Sequence, residues 1–340
     1  MSEKSSEDKT DIHACIIGTG SATPERILTN QDLEGIVDTN DEWITRRSGI
    51  KERRISSIKR DEGTTALAYR AATNALNMAG LNPKDLDTII IGTVTADRHF
   101  PSAGCMVQEA LGAKNAAAFD ISAGCSGFIY SLSVATDAIK CGRYQNALVI
   151  GVERLSSIVN WQDRGTCVLL ADGAGAVVLS ASREEGGVIS THVKSDGRYW
   201  DLLYSEYGNT YRPDILEDID LKPIHLRMEG NRLFKMAIAS MASITRESLQ
   251  AASMTSKDIG IVIPHQANIR IIEGLAKNLK IPMDKVFVNI HKYGNTSSGT
   301  IPIALDEANR QGLIKTGTNI LLVSFGAGLT WGAGILRWVI

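Results

Sequence analysis

The sequence predicts an α/β protein built from two similar halves, and three observations carry that prediction. Short apolar runs of strand length alternate with longer stretches of helical periodicity, the pattern of a largely parallel sheet covered by helices. These runs fall into two sets that align at a constant spacing. Each set closes on a Gly/Ala-rich strand, GAGAVVL in the first and WGAGILRW in the second.

The elements follow in order. MSEKSSEDKT is polar and lacks an apolar core, so residues 1–10 read as a disordered tail rather than a secretion signal. ACIIGTG is the first strand. Its GTGSA lacks the third glycine of a dinucleotide fingerprint and reads as a tight turn after that strand. TALAYRAATNALNMAG is helical, DTIIIGT is a strand, and AAAFDIS is a short buried strand. There the period changes: Phe128, Leu132, Ala135 and Ile139 recur at helical spacing, and Gly142 supplies a stop. NALVIGV and GAVVLSA complete the first set. The charged stretch Ser182 to Gly187 is the expected junction, giving halves of residues 11–184 and 185–340. The second half holds the helix FKMAIASMASITRESLQAA and the strands GIVIPH, VFVNI, NILLVSF and AGILRWV.

The register between the halves is the most informative feature. LNPKDLDTIIIGT matches MTSKDIGIVIPHQ with Lys84-Asp85 on Lys257-Asp258, an offset of 173, and Asn146 of NALVIG falls on Asn319 of NILLVS at the same offset. A period this long marks a duplicated α/β unit rather than a solenoid. The same offset carries Cys125 of GCSGF to Ser298, in the turn YGNTSSG that also holds Asn295. A pseudo-twofold axis would bring both turns to one central site, which His265, at the end of the strand IPHQ, would also reach.

Composition narrows the function classes. The 340 residues are 44% hydrophobic and 22% charged, with a net charge of −2, which argues against bulk nucleic-acid binding. Five cysteines, with no C-x-x-C pair, suit a reducing compartment better than a disulfide framework. No run approaches the roughly 18 apolar residues of a membrane span, so a cytoplasmic protein is expected. The six histidines show no metal-ligand spacing, and neither metal nor redox cofactor is expected.

Cys125 sits between two glycines where a strand gives way to a helix. Unpaired N–H groups and the positive end of the helix dipole there favour a thiolate nucleophile. A small side chain filling a crowded corner fits the same stretch, because free cysteine is among the most buried residue types. A histidine after a strand and a Gly-Asn turn likewise have ordinary structural uses.

Taken together, DTNDEWITRRSGIKERR, FPSAGCMVQ, AFDISAGCSGF, DRGT, DGAGAVVL, IPHQANIRII, GNTSSGTIPIAL and SFGAGLTWGAG, in that order, resemble the β-ketoacyl-acyl carrier protein synthase III family of the thiolase superfamily. The resemblance runs from about Asp11 to Ile340. It implies a layered αβαβα core and a catalytic Cys125, His265 and Asn295. Elongating synthases look for a second histidine at the Asn295 position, and thiolases use a second cysteine. It further implies decarboxylative condensation of a short acyl-CoA with malonyl-acyl carrier protein, without a cofactor, in a homodimer. The chemistry suits those residue types: a thiolate accepts the acyl group, and two neutral N–H donors, from His265 and Asn295, stabilise the enolate left by CO₂ loss. The Cys125 and Ala327 amides are the implied oxyanion hole. Ser122 and Gly124, where many relatives carry alanines, and Ala327, where glycine is common, leave the preferred primer open.

The basic run RRSGIKERR follows Trp43. An indole beside arginines suits adenine and phosphates, and the resemblance assigns Trp43, Arg47 and Arg164 to coenzyme A. Gln266, Ala267, Asn268, Ile269 and Arg270, with Lys277 and Lys280, form the expected carrier-protein face. The resemblance implies that Phe100 of HFPSAG reaches into the partner's acyl pocket, and packing at the interface beside Pro101 is the alternative. Three other classes remain in view: a papain-like hydrolase, whose duplicated pattern and cysteine position do not fit; a non-catalytic carrier-binding relative; and a secondary-metabolite condensing enzyme with an unusual starter.

Overall fold

The computed structural model describes residues 12–205 and 224–340, so the expected tail over residues 1–10 lies outside the described residues. Nine of the strands among the described residues form two large sheets. In chain order they are β1 (His13–Ala22), β2 (Thr88–Gly92), β3 (Ala117–Ile121), β4 (Asn146–Arg154), β5 (Asp172–Ser182), β6 (Gly187–Ser195), β7 (Ile261–Pro264), β8 (Asn319–Gly326) and β9 (Thr330–Arg337). The first sheet has the order β1-β5-β4-β2-β3, and the second β7-β8-β9-β6. In each, the parallel pairs (β4–β2 and β2–β3; β7–β8) join antiparallel ones (β1–β5 and β5–β4; β8–β9 and β9–β6).

Helices cover both faces. The larger ones are α1 (Asp41–Ser48), α2 (Thr64–Ala79), α3 (Ala103–Leu111), α4 (Gly127–Lys140), α5 (Gly230–Ala251), α6 (Ile269–Leu279) and α7 (Thr300–Arg310). Strand alternation shows the layering. Ile90 and Val149 point to one core with Ile261, Ile263, Ile320 and Leu322, and between them lie Phe128, Leu132 and Ala135 of α4 and Ile301, Ala304 and Leu305 of α7. Their neighbours Ile89, Ile91, Leu148 and Ile150 face outward onto α2 and α3, while Leu321 and Val323 face α5 and α6. The order is therefore α-β-α-β-α. TIIIG of β2 is an unbroken apolar run because both of its faces are covered. α4, packed between the sheets, buries nine of its 14 residues, including Ser131, Ser133 and Thr136.

The duplication extends to small features. The turns Pro83–Asp85 and Ser256–Asp258 occupy matching places, as do Gly124–Ser126 and Ser297–Gly299, each pair 173 residues apart. α4 and α7 begin directly after the second pair of turns.

Two expectations need correction and one strand was missed. VFVNI is not a strand: Val286 makes one isolated bridge to Val262, and Ile290 already starts a helical turn. The Gln266 side chain takes up the backbone that a strand partner would have served, donating to Phe287 O at 3.1 Å and accepting from Asn289 N at 3.1 Å. The second sheet thus lacks the counterpart of β3. GTGSA is not a turn but lies inside β1, where glycines admit α2: a Cβ on Gly18 or Gly20 would stand 2.3 or 2.4 Å from the carbonyl oxygens of Ala75 and Ala71. Finally, β6 carries too few alternating apolar residues to be visible in sequence, because it is an edge strand paired only with β9.

Candidate active site

Cys125 occupies the turn Gly124–Ser126 between β3 and α4, partly exposed, at the N-terminal end of a 14-residue helix. Gly124 has φ +52°, where a side chain is strained. A Cβ there would also meet Ala327 N at 2.8 Å, and a Cβ on Gly326 would meet Cys125 N at 2.5 Å. These glycines let the FGAG segment of the second half lie directly on the cysteine turn. Thr330 ties the two together, its hydroxyl 2.8 Å from Ala123 O and 3.0 Å from Ala327 O.

The second half brings His265 and Asn295 to the same region. His265 follows β7, buried, with its N–H donated to Val323 O at 2.8 Å. Its Nδ1 lies 2.7 Å from the Thr300 hydroxyl, which is also 3.0 Å from Ser297 O. When the single Thr300 proton faces Nδ1 rather than Ser297 O, the imidazole proton is on Nε2. Asn295 is 9% exposed and anchored by its backbone to Leu169 and Ala171. Its Oδ1 accepts from Ser297 N at 2.8 Å, so the amide NH₂ is the end turned away from that turn.

Electrostatics departs from the expectation of a ready thiolate. Burial pushes the Cys125 thiol up to about 11, against a lowering contribution from the neighbouring Ser297 hydroxyl, and the nearby Glu153 charge raises it further. The dipole of α4 acts the other way. Burial also holds His265 down to about 3, so it is a neutral imidazole throughout the physiological range. Glu153, at the end of β4, is fully buried and pushed up to about 7 by desolvation. It accepts from Thr93, Thr95, Val94 N, Ser297 and Ser298.

Sequence reasoning missed Thr300, Ser297 and Glu153. Signals existed for two of them. Ser297 is the residue 173 places after the left-handed Gly124, and it adopts φ +49° itself. Glu153 directly follows the apolar run 147–152 within one strand.

Trp43 lies on α1 with the guanidinium carbons of Arg164 at 4.9 Å and Arg47 at 5.5 Å from its ring centroid. The structure therefore brings these three together. The basic run divides: Arg46, Arg47 and Lys51 are exposed, but Arg53 is fully buried, donating to Leu28 O, Asn30 Oδ1 and Val168 O. Of the expected carrier-protein face, Gln266 must be removed. It is 1% exposed and committed to backbone hydrogen bonds. Asn268 caps α6 and donates to Arg47 O, while Ala267 and Ile269 are half-buried. Arg270, Lys277 and Lys280 are exposed. Phe100 is 85% exposed. Among the described residues, no group of three His, Cys, Asp or Glu side chains is placed to hold a metal ion, and no helix is long and apolar enough to cross a membrane.

Two stacked α/β halves with a cysteine turn, a histidine and an asparagine converging between them define the class: a thiolase-fold acyltransferase. Models of the 3-oxoacyl-[acyl-carrier-protein] synthase III family match residues 119–197 and its C-terminal part matches 249–338. A relative from Caldanaerobacter subterraneus subsp. tengcongensis, a β-ketoacyl-[acyl-carrier-protein] synthase III, is 52% identical over 96% of this chain and 98% of its own. The chain belongs to the β-ketoacyl-[acyl-carrier-protein] synthase III family. The crystal structure of 3-oxoacyl-[acyl-carrier-protein] synthase III from Aquifex aeolicus VF5 superimposes with a TM-score of 0.89 at 49% identity, covering 96% of this chain and 100% of that one. The priming β-ketosynthase of the R1128 polyketide pathway reaches the same TM-score at 34% identity, covering 97% of each chain.

Proposed function

We propose that the protein starts fatty-acid synthesis by loading a short acyl group from acyl-CoA onto Cys125 and condensing it with malonyl-acyl carrier protein, with loss of CO₂. The observation that carries this reading is the convergence of Cys125 with neutral His265 and Asn295, each held by hydrogen bonds to the turn Ser297–Thr300. Cys125 Sγ attacks the thioester carbonyl, and the CoA thiolate leaves. The Cys125 and Ala327 amides face the resulting oxyanion. Malonyl decarboxylation then places negative charge on an enolate oxygen, which His265 Nε2–H and the Asn295 amide stabilise without a proton transfer. Neutrality of His265 matters, since a fixed N–H donor is what this step uses. Both substrates arrive as thioesters, so the reading calls for no resident cofactor.

Coenzyme A would enter past Trp43, Arg47 and Arg164. Two stacking contacts of about 3.5 Å each exceed the 4.9 Å between Arg164 and the indole, so adenine must displace that guanidinium. Arg270, Lys277 and Lys280 supply the positive face for the carrier protein, and Phe100, exposed in one chain, is covered in a homodimer. The two halves are best divided as 11–184 and 185–340, and a cytoplasmic site of action suits five free cysteines. Incubation with acetyl-CoA should add one acetyl group to the wild type, mapped to Cys125, and none to Cys125→Ala. An adduct that survives the substitution would exclude Cys125 as acceptor.

A further inference from the structure

Two donors that share one enolate oxygen must keep a fixed separation, yet His265 and Asn295 stand on different segments, after β7 and after the helical turn Ile290–Tyr293. Gln266, which follows His265 directly, joins those segments. It is 1% exposed. Its Nε2 donates to Pro264 O at 2.9 Å and to Phe287 O at 3.1 Å, and its Oε1 accepts from Asn289 N at 3.1 Å. Both amide protons are thus committed, and a reversed amide would set its own N–H groups against that of Asn289. Phe287 O and Asn289 N flank Val288, the pair of groups that one residue of a neighbouring parallel strand would serve. In the first half backbone does this: β3 runs beside β2 as far as the Gly92–Ile121 pair, and Thr93 N continues to Ile121 O at 3.2 Å. In the second half a single side chain replaces it.

From Asn289 the tie continues in two directions. Along the chain, Lys292 N reaches Asn289 O at 3.0 Å and Gly294 N reaches Ile290 O at 2.9 Å, closing the turn that delivers Asn295. Across to α7, the Asn289 side chain donates to Glu307 Oε2 at 2.8 Å, and Thr300, the first residue of α7, lies 2.7 Å from His265 Nδ1. The contacts close a ring through His265, Gln266, Asn289 and α7. Asn295 sits on the chain between two of its members, Asn289 and Thr300. We propose that Gln266 is a positioning residue for decarboxylation, setting the separation of the His265 and Asn295 donors through segment 287–289. It touches no substrate. Acylation of Cys125 draws on neither donor, so that step does not depend on the tie.

This inference rests on the assignment of His265 and Asn295 to the enolate. Gln266→Met keeps the length of the side chain and removes its hydrogen bonds. The variant should acquire the acetyl group on Cys125 at the wild-type rate. Its kcat for releasing ¹⁴CO₂ from labelled malonyl-acyl carrier protein should fall about 10- to 100-fold with KM unchanged, since a shift of about 1 Å in a catalytic donor can cost about 100-fold. On an Asn295→Ala background the same substitution should cost little more, because the pair it spaces is already broken. Asn289→Ala cuts the tie to α7 while leaving Gln266 in place, and it should show the same split between steps at smaller size, which keeps the test open should Gln266→Met fail to fold. An equal fall in both steps, an unchanged CO₂ release, or a full further loss on the Asn295→Ala background would overturn the positioning role. Asn295→Ala alone tests the underlying reading: wild-type CO₂ release from it would remove the donor assignment whatever Gln266→Met shows.

Discussion

The turns Gly124–Ser126 and Ser297–Gly299 stand 173 residues apart and carry nearly the same backbone, with φ +52° at Gly124 and +49° at Ser297. Each leads into a helix buried between the sheets. Their central side chains have different surroundings. Cys125 is partly exposed, whereas Ser298 is buried with its hydroxyl 2.6 Å from Gly92 O. In the first half the left-handed position is glycine, which lets the FGAG segment pack on it. In the second it is serine, whose N–H fixes Asn295 Oδ1 and whose hydroxyl faces Glu153. One backbone design, used twice, presents a sulfur in one copy and orients polar groups around that sulfur in the other.

The comparison can be broken most severely at Asn295, which belongs only to the second turn. Asn295→Ala should still acquire the acetyl group on Cys125 but lose malonyl decarboxylation by about 100- to 1000-fold, the usual effect of removing one oxyanion donor. Release of ¹⁴CO₂ from labelled malonyl-acyl carrier protein, set beside the mass of the acylated enzyme, measures both steps. Loss of acylation with decarboxylation retained would reverse the assignment.

The two left-handed positions should respond differently to a methyl group. At Gly124 an alanine meets both the φ penalty, about 1–2 kcal/mol, and the contact with Ala327 N. Ser297→Ala already has its Cβ accommodated and loses only hydroxyl contacts, about 0.5–1.5 kcal/mol for a hydrogen bond. Urea denaturation should rank Gly124→Ala below Ser297→Ala, and the reverse order would show that the FGAG contact gives way easily.

A sharper test asks whether the matching place in the second turn is chemically equivalent. Cys125→Ala combined with Ser298→Cys moves the thiol to the pseudo-symmetric position, where it is buried under Gly92 and away from any entering thioester. No acetyl adduct should return, and recovery of one would mean that the symmetry axis, not the turn's surroundings, sets reactivity.

The narrowest effect is in the pH dependence of stability. His265 is held at about 3 in the folded chain, against 6.5 for the ordinary side chain. Between these values the unfolded state binds a proton that the folded state refuses, so the histidine's contribution is present above 6.5 and is lost as pH falls toward 3. The stability difference between wild type and His265→Gln should therefore move against the wild type from pH 7 to pH 4, as read by thermal melts. A constant difference would place a charged partner beside the imidazole.

Much of this was legible because it is periodic. TIIIG, NALVIG and NILLVS announce buried strands by unbroken apolar runs, and the constant offset joined Cys125 to the GNTSSG turn before any coordinates. VFVNI was misread because its apolar residues satisfy a strand pattern, while its backbone is claimed by the Gln266 amide, a long-range polar contact without periodicity. The same blindness put Gln266 on the surface: a glutamine in a polar stretch reads as exposed unless its buried partners are known. Arg53 was hidden among exposed basic neighbours for a similar reason.

What the sequence determined alone, then, is what local spacing encodes: the duplicated α/β halves, the strand-to-helix cysteine turn, and the residue types suited to thioester chemistry. Only the tertiary structure decided how polar atoms are paired and how deeply each is buried. It tied Asn295 by its oxygen, set Thr300 against His265 Nδ1, and placed the Ser297 hydroxyl against Glu153. Protonation and donor direction depend on desolvation and on partners that lie 2, 35 or 144 residues away, and neither leaves a periodic pattern along the chain.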